Sequence, residues 1–98
     1  MSVYTGSIAA ANQWQWVNVN PNTAQNSITF ANASNDLLVV SWDGSPASFT
    51  HGYRLAPGGN ITISVAAAAG GNGPAFPGGL ISLWGPAAGQ GFQISIDQ

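Results

Sequence analysis

The sequence predicts an all-β fold, a compact antiparallel β-sandwich of about eight short strands with a jelly-roll-like arrangement. Short runs rich in β-branched and aromatic residues recur at intervals of roughly 8–14 residues, separated by Gly, Pro and Asn clusters. Several runs alternate apolar and polar residues, which is the period of a strand with one buried face. No segment keeps a helical apolar period beyond a turn or two. An Ig-like sandwich remains the alternative, because seven or eight strands also suit that fold.

Eight runs are predicted as strands, in chain order. They are residues 3–8, 13–19, 27–31, 37–42, 49–55, 60–65, 80–84 and 92–97. Alternation is clear in the sixth run, where Ile61 and Ile63 are expected on one face and Thr62 on the other. The fourth run opens with four consecutive apolar residues, which indicates a central strand buried on both faces.

The connections between the runs carry turn chemistry. Residues 32–36, Asp43-Gly44 and residues 57–59 combine Asn, Asp, Ser, Pro and Gly, whose side chains or backbones favour tight turns. Residues 66–79 form a longer connection of Ala, Gly and Pro, and loops of that length in compact domains are often functional. The whole chain, residues 1–98, is therefore predicted to be one β-sandwich domain with a long loop at 66–79.

One aromatic residue of the long loop has two interpretations. Phe76 lies between Pro74 and Pro77 among small residues. It either folds back onto the core or serves as an apolar anchor for a neighbouring subunit, since small flanking residues allow two backbones to approach closely. We keep Pro74, Phe76 and Pro77 as candidate interface residues.

The near-absence of charge restricts the function. Asp36, Asp43, Arg54 and Asp97 are the only formally charged side chains, about 4% of the 98 residues, where soluble domains have about a quarter. A phosphate-binding loop needs a lysine, and nucleic-acid binding needs cations to neutralise phosphates, so both are excluded. No apolar stretch approaches the length of a membrane span, and the start of the chain lacks the pattern of a secretory signal.

Catalytic and metal chemistry find little support in the residue types. The chain has no cysteine and a single histidine, so no metal cluster and no cofactor is expected. Ser41, Asp43 and His51 are the types of a nucleophilic triad, but their order and spacing match no strained nucleophile turn. Glycoside hydrolysis needs two flanking carboxylates, which the three aspartates do not offer. We expect a protein that is not an enzyme.

Two asparagines, Asn32 and Asn60, stand in glycosylation sequons. Because both follow or precede turn-like segments and no signal segment is seen, we interpret them as structural residues.

Tryptophan provides the strongest positive indication of a binding surface. Trp14 and Trp16 are two residues apart, so both project from one face of a strand while the intervening glutamines point the other way. They belong to the core, to a subunit interface, or to a platform for stacking sugars. Trp42 and Trp84 adjoin apolar runs and are predicted at the core or its edge; Trp42 is also a possible further platform.

Undefended strand edges favour assembly. Isolated β proteins protect their edges with lysine, proline or inward-facing charge, and this chain has no lysine and hardly any charge to use. A small domain without disulfides also gains burial by oligomerising. We therefore expect a homo-oligomer or docking on a larger partner.

A family resemblance supports that expectation. The run Ile28-x-Phe30-x-Asn32-x-Ser34-Asn35-Asp36-x-Leu38-x-Val40-Ser41-x-Asp43-Gly44, followed by Leu55-Ala56-Pro57-Gly58-Gly59, resembles a pattern of small all-β virion proteins of tailed bacteriophages, over about residues 28–65. The resemblance implies a head-decoration or cement protein, synthesised in the host cytoplasm and located in the virion. It also implies a homo-oligomer, a trimer being favoured, that contacts a capsid or other virion protein.

Two further functions stay open. A carbohydrate-binding sandwich would use Trp14 and Trp16 as stacking platforms, and a fibre or adhesin subunit would use the same neutral surface for assembly.

Overall fold

The computed structural model describes residues 2–17, 27–42, 45–64 and 81–97, and the eight strands lie within these ranges. They are β1 (Ser2–Ser7), β2 (Gln13–Val17), β3 (Ser27–Asn32), β4 (Leu38–Ser41), β5 (Tyr53–Leu55), β6 (Asn60–Ser64), β7 (Ile81–Gly85) and β8 (Gly91–Asp97). Each falls in a predicted run or within about one residue of it, which confirms the predicted all-β class. The predicted loop at 66–79 lies outside the described residues.

The strands form two four-stranded antiparallel sheets with the order β1-β8-β3-β6 in one and β2-β7-β4-β5 in the other. Every connection changes sheet except the one between β4 and β5, which pair with each other. This is the two-sheet arrangement of a jelly roll, in which consecutive strands alternate between the layers. The jelly-roll prediction is confirmed in preference to the Ig-like alternative.

The core lies between the inner faces of the two sheets. In β3 and β8 every second residue is buried, and Phe30 stands opposite Ile94 while Ile28 stands opposite Ile96. The second sheet contributes Val40, among others, from its own inner face. Because the polar residues of β3 and β8 alternate with these, they form the outer face of the first sheet.

The central strands β4 and β7 are buried on both faces, as predicted for the fourth run. Their outer side is covered by the segment that links β4 to β5, whose Ala47 is fully buried against Val39 and Trp84. The Ala47 N–H donates to the Ser82 hydroxyl at 2.7 Å, and that hydroxyl donates to the Ser45 carbonyl at 3.0 Å. A loop folded over the sheet therefore explains why these strands lack alternation.

The predicted fifth strand, residues 49–55, is wrong in its first half. The backbones of Ser48 and His51 pair in an isolated bridge, and the Thr50 N–H donates to the Ser48 hydroxyl at 3.3 Å. These bonds close a turn, so the ladder with β4 begins only at Tyr53. The turn directs Phe49 out of the strand path and onto the outer face of the sheet.

At one end of the sandwich the connections between strands are held together by hydrogen bonds from two buried side-chain amides, those of Asn32 and Gln90. The Asn32 side chain, 2% exposed, donates to the carbonyls of Asp36, Leu55 and Ala56 at 2.7–3.1 Å. Its oxygen accepts the N–H of Ser34 at 3.0 Å. The structural interpretation of Asn32 is thereby confirmed, because its amide nitrogen is enclosed by the fold.

Gln90 joins the β7–β8 connection, in which it lies, to the β3–β4 connection in the same way. Its amide nitrogen donates to the Leu37 carbonyl at 2.8 Å and to the Ser34 hydroxyl at 3.0 Å, and its oxygen accepts the Ala87 N–H. The other sequon asparagine, Asn60, is by contrast the exposed first residue of β6.

Candidate functional site

A row of large side chains crosses the outer face of the sheet β2-β7-β4-β5, exposed at its two ends and buried in its middle. Trp14 stands opposite Trp84, Trp84 opposite Val39, and Val39 opposite Arg54. Residues directly opposite in an antiparallel pair point to the same side of the sheet, so these side chains form one row. Trp16, two residues from Trp14, lies in the next row of the same face.

The two tryptophans of β2 contact each other at the edge of the sheet. The ring centroids of Trp14 and Trp16 are 5.0 Å apart with an interplanar angle of 71°, an edge-to-face arrangement favoured by the ring quadrupoles. They remain 45% and 40% exposed, respectively. The prediction that both share a face is confirmed, but the core alternative is wrong, because they project from the outer side of an edge strand.

The glutamine between them points inward. The Gln15 oxygen accepts the N–H of Ala9 at 2.9 Å, and its nitrogen donates to the carbonyl of Ser7 at 3.1 Å. These bonds fix β2 to the end of β1 and use the amide within the fold. Gln15 is therefore not available to a ligand resting on the tryptophans.

Phe49 and Arg54 complete the surface at its other side. The Phe49 ring, 53% exposed, meets Trp84 edge-on at 5.9 Å. The Arg54 guanidinium lies 4.3 Å from the Phe49 centroid and donates to the Phe49 carbonyl, a cation–π arrangement. We call Trp14, Trp16, Phe49, Trp84 and Arg54 together the aromatic face.

The aromatic face offers few hydrogen-bonding side chains among the described residues. The Ser82 hydroxyl, next to Trp16 in the register, is fully buried and bonded to Ala47 and Ser45. The one formal charge on the face is that of Arg54, which is held against Phe49. Such a surface favours contact with another apolar surface over recognition of a strongly polar ligand.

A second feature, a depression, lies beside β4 and β5. The depression, of about 290 Å³, is lined by Val40, Ser41, Trp42, His51, Gly52 and Tyr53. The Trp42 ring is half-buried and stacks on Phe30 at 5.6 Å and 8°, which confirms its predicted place at the core edge. Tyr53 lies 6.3 Å from Trp42 and is 47% exposed. The depression therefore has two aromatic walls.

Two of the three triad candidates line that depression. Ser41 is 3% exposed, whereas His51 is exposed and paired through its backbone with Ser48. Asp43 lies outside the described residues. A nucleophile has to reach its substrate, and a buried serine is poorly placed for that role.

Sequence reasoning identified only part of the surface. It singled out Trp14 and Trp16, but it did not place Phe49 and Arg54 on the same face. Arg54 lies in a strand as predicted, whereas Phe49 lies in the turn before that strand. The Ser48-x-Thr50 pair is the signal that indicates a turn there, since hydroxyl side chains often cap the backbone two residues on. The other interface candidates, Pro74, Phe76 and Pro77, lie outside the described residues.

The described ranges contain neither a metal-binding cluster nor a membrane-spanning helix. Residues 2–17, 27–42, 45–64 and 81–97 contain no group of three or more His, Cys, Asp or Glu side chains placed to hold a metal ion. Over the same ranges no helix is long and apolar enough to span a membrane.

Comparison with known proteins identifies no family. No known protein family and no curated protein matches this sequence. A solved structure of a conserved protein of unknown function from Streptococcus pyogenes is similar at a TM-score of 0.44 with 12% identity, covering 99% of this chain and 75% of that one. A likeness at this level identifies neither a family nor an activity.

Proposed function

We propose that this chain is a non-enzymatic structural subunit of a bacteriophage virion, of the head-decoration or cement type. It acts by burying neutral and apolar surface against other virion proteins. The observation that carries the proposal is the aromatic face, where Trp14, Trp16 and Phe49 are each 40–53% exposed on one side of one sheet. Contiguous exposed apolar surface on a small domain marks a contact site.

The composition of the face supports a protein partner. Tryptophan, phenylalanine and arginine are enriched in the central parts of protein interfaces, where aspartate, glutamate and lysine are depleted. The aromatic face has that composition, with Arg54 as its one charge. The jelly roll is also an architecture of viral capsid domains, although fold analogy alone does not assign a function.

The proposal is tested on virus particles from the source of the chain. Particles separated on a density gradient are probed with an antibody against the purified protein, and the protein is expected to sediment with the particles after a high-salt wash. A replacement of Trp14 and Trp16 by serine is expected to leave it in the soluble fractions, whereas the control Val3→Ser/Tyr4→Ser on β1 is expected to stay attached. Wild-type protein found only in soluble fractions would overturn the proposal.

Carbohydrate binding is the second candidate, and the exposure of the Trp14 and Trp16 rings favours it. Apolar ring faces stack on sugars, and the jelly roll also occurs in lectins. Titration of tryptophan fluorescence with a panel of neutral glycans distinguishes the two functions. A saturable change that is lost in Trp14→Ala/Trp16→Ala would favour the sugar, and no change across the panel would leave the assembly role.

A further inference from the structure

We infer that two copies of this chain pair antiparallel along β2, joining their second sheets into one eight-stranded sheet. The pairing rests on the proposed assembly role, whose aromatic face it doubles. In the inferred register Gln15 lies on the two-fold axis, so that Trp14 of each copy stands opposite Trp16 of the other.

Among the described residues, nothing pairs with the outer edge of β2, and the strand carries none of the usual protection of an edge. β2 is the last strand of its sheet, so every second residue of Gln13–Val17 turns its N–H and C=O away from β7. Natural edge strands are protected by charge, proline, bulges or shortness. β2 contains no charged residue and no proline, and its register with β7 runs unbroken over five residues.

The other three edges are less suited to pairing. β5 has three residues and carries Arg54 at its centre. β6 exposes the polar side chains of Thr62 and Ser64. β1 is neutral, but its exposed apolar residues Val3 and Tyr4 are adjacent and so point to opposite faces. β2 alone among these edges presents two exposed large apolar side chains on one face, Trp14 and Trp16.

The partner is a second copy because the surface is complementary to itself. Residues 1–35, which include β1 and β2, contain no Asp, Glu, Lys, Arg or His. Two copies of this side meet without charge repulsion, and an antiparallel edge offers donors and acceptors to itself under a two-fold axis. A charged partner would find no complementary charge here.

The sequence of β2 fits the two-fold register. Gln13-Trp14-Gln15-Trp16-Val17 is nearly symmetric about Gln15, so reversing the strand brings each tryptophan opposite a tryptophan. Directly opposite residues have Cβ atoms about 4.5–5.5 Å apart, close enough for the rings to pack across the axis. Gln15 bonds inward to Ser7 and Ala9 and leaves the outer face to the four rings.

The pairing is tested first by mass in solution. Sedimentation velocity at about 100 µM is expected to show a dimer with a dissociation constant of roughly 1–100 µM, as befits a small interface. Trp14→Ser/Trp16→Ser is expected to weaken association at least tenfold. The matched control Val3→Ser/Thr5→Ser, on the edge strand β1, is expected to leave the dimer intact. A monomeric wild type, or a β1 control that dissociates, would overturn the pairing.

The register is tested with two charged variants that differ only at position 16. In Trp14→Lys/Trp16→Glu the antiparallel register places Lys opposite Glu twice, whereas Trp14→Lys/Trp16→Lys places like charges opposite each other. The first is expected to associate roughly tenfold more tightly than the second at about 0.05 M NaCl, with the gap shrinking at about 0.5 M. Equal association of the two variants would contradict the inferred register, in which position 14 of one copy stands opposite position 16 of the other. Far-UV circular dichroism and urea unfolding establish that each variant is folded.

The two proposals fail in different ways. A monomer that still sediments with virus particles would overturn the β2 pairing and leave the virion role in place. A dimer that is absent from every particle fraction would overturn the virion role and leave the β2 pairing in place.

Discussion

Asn32 supplies at a single position the hydrogen bonds that join the β3–β4 connection to the end of β5 and the connection that follows it. Its amide nitrogen faces the carbonyls of Asp36, Leu55 and Ala56, and its oxygen accepts from Ser34, all within a site that is 2% exposed. Loop carbonyls buried at a sandwich end have no ladder partner, so a side chain must satisfy them. An asparagine suits this role because it both donates and accepts.

Replacing that asparagine is therefore expected to be costly. Asn32→Ala leaves buried carbonyls and the Ser34 N–H without their partner, which lowers the free energy of unfolding by about 2–3 kcal/mol. Asn60→Ala, in the exposed second sequon, serves as the matched control and is expected to change it by less than about 0.5 kcal/mol. Urea unfolding followed by tryptophan fluorescence measures both. Equal effects of the two replacements would contradict the structural role of Asn32.

Residues 32–36 show which part of this structure the sequence predicts and which part it does not. The Asn-x-Ser-Asn-Asp pattern at 32–36 predicts a turn from local chemistry alone, and a turn is found. That Asn32 also reaches Leu55 and Ala56, more than 20 residues further on, follows from the loop arrangement of the jelly roll. No local pattern carries that information, and the role of Gln90 was missed for the same reason.

Among the elements, the segment between β4 and β5 decides how much of the second sheet is exposed. It covers Val39 and Trp84 with Ala47 and Phe49, and it leaves Trp14 and Trp16 on β2 uncovered. The sequence predicted the burial of β4 correctly from its unbroken apolar run. It misplaced the cause, because a loop packed on the outside of a sheet leaves no periodic signal of its own.

Gly52 is the position on which this segment turns back into β5. Its φ is 125°, and a Cβ atom there would lie 2.7 Å from a Val39 methyl and 2.8 Å from the Val40 carbonyl oxygen. Gly52→Ala is expected to destabilise the protein by about 3 kcal/mol, through backbone strain together with the overlap.

The control for that replacement is a glycine with strain but no overlap. Gly58 has a φ of 72° and nothing within 4 Å of the added atom, so Gly58→Ala is expected to cost only about 1 kcal/mol. Thermal and urea unfolding of the two variants measure the difference. A Gly52→Ala protein as stable as Gly58→Ala would mean that the segment does not pack closely on β4.

For the whole molecule, the scarcity of charge has a different meaning once the charges are placed. The first 35 residues carry none, and Arg54 is held against Phe49 on the outer face of the second sheet. Composition alone could predict a neutral surface that favours assembly. It could not show that β1 and β2 form an uncharged side of the sandwich, because that depends on which strands end each sheet.

A fold held almost without ion pairs should be indifferent to ionic strength. Salt screens charges over about 10 Å at 0.1 M and far less at 1 M, but hydrogen bonds between amides, hydroxyls and carbonyls, such as those of Asn32 and Gln90, carry no net charge to screen. The free energy of unfolding of the wild type, measured by urea, is therefore expected to change by less than roughly 0.4 kcal/mol between about 0.05 and about 0.5 M NaCl. Its dimer dissociation constant is expected to change by less than about twofold over the same range.

The Trp14→Lys/Trp16→Glu variant is the contrast to the wild type. Its association depends on introduced charge and is expected to weaken over the same range of salt. A wild type that loses stability or dissociates as salt rises would show that the few native charges hold the assembly together, and the neutral surface would then need another explanation.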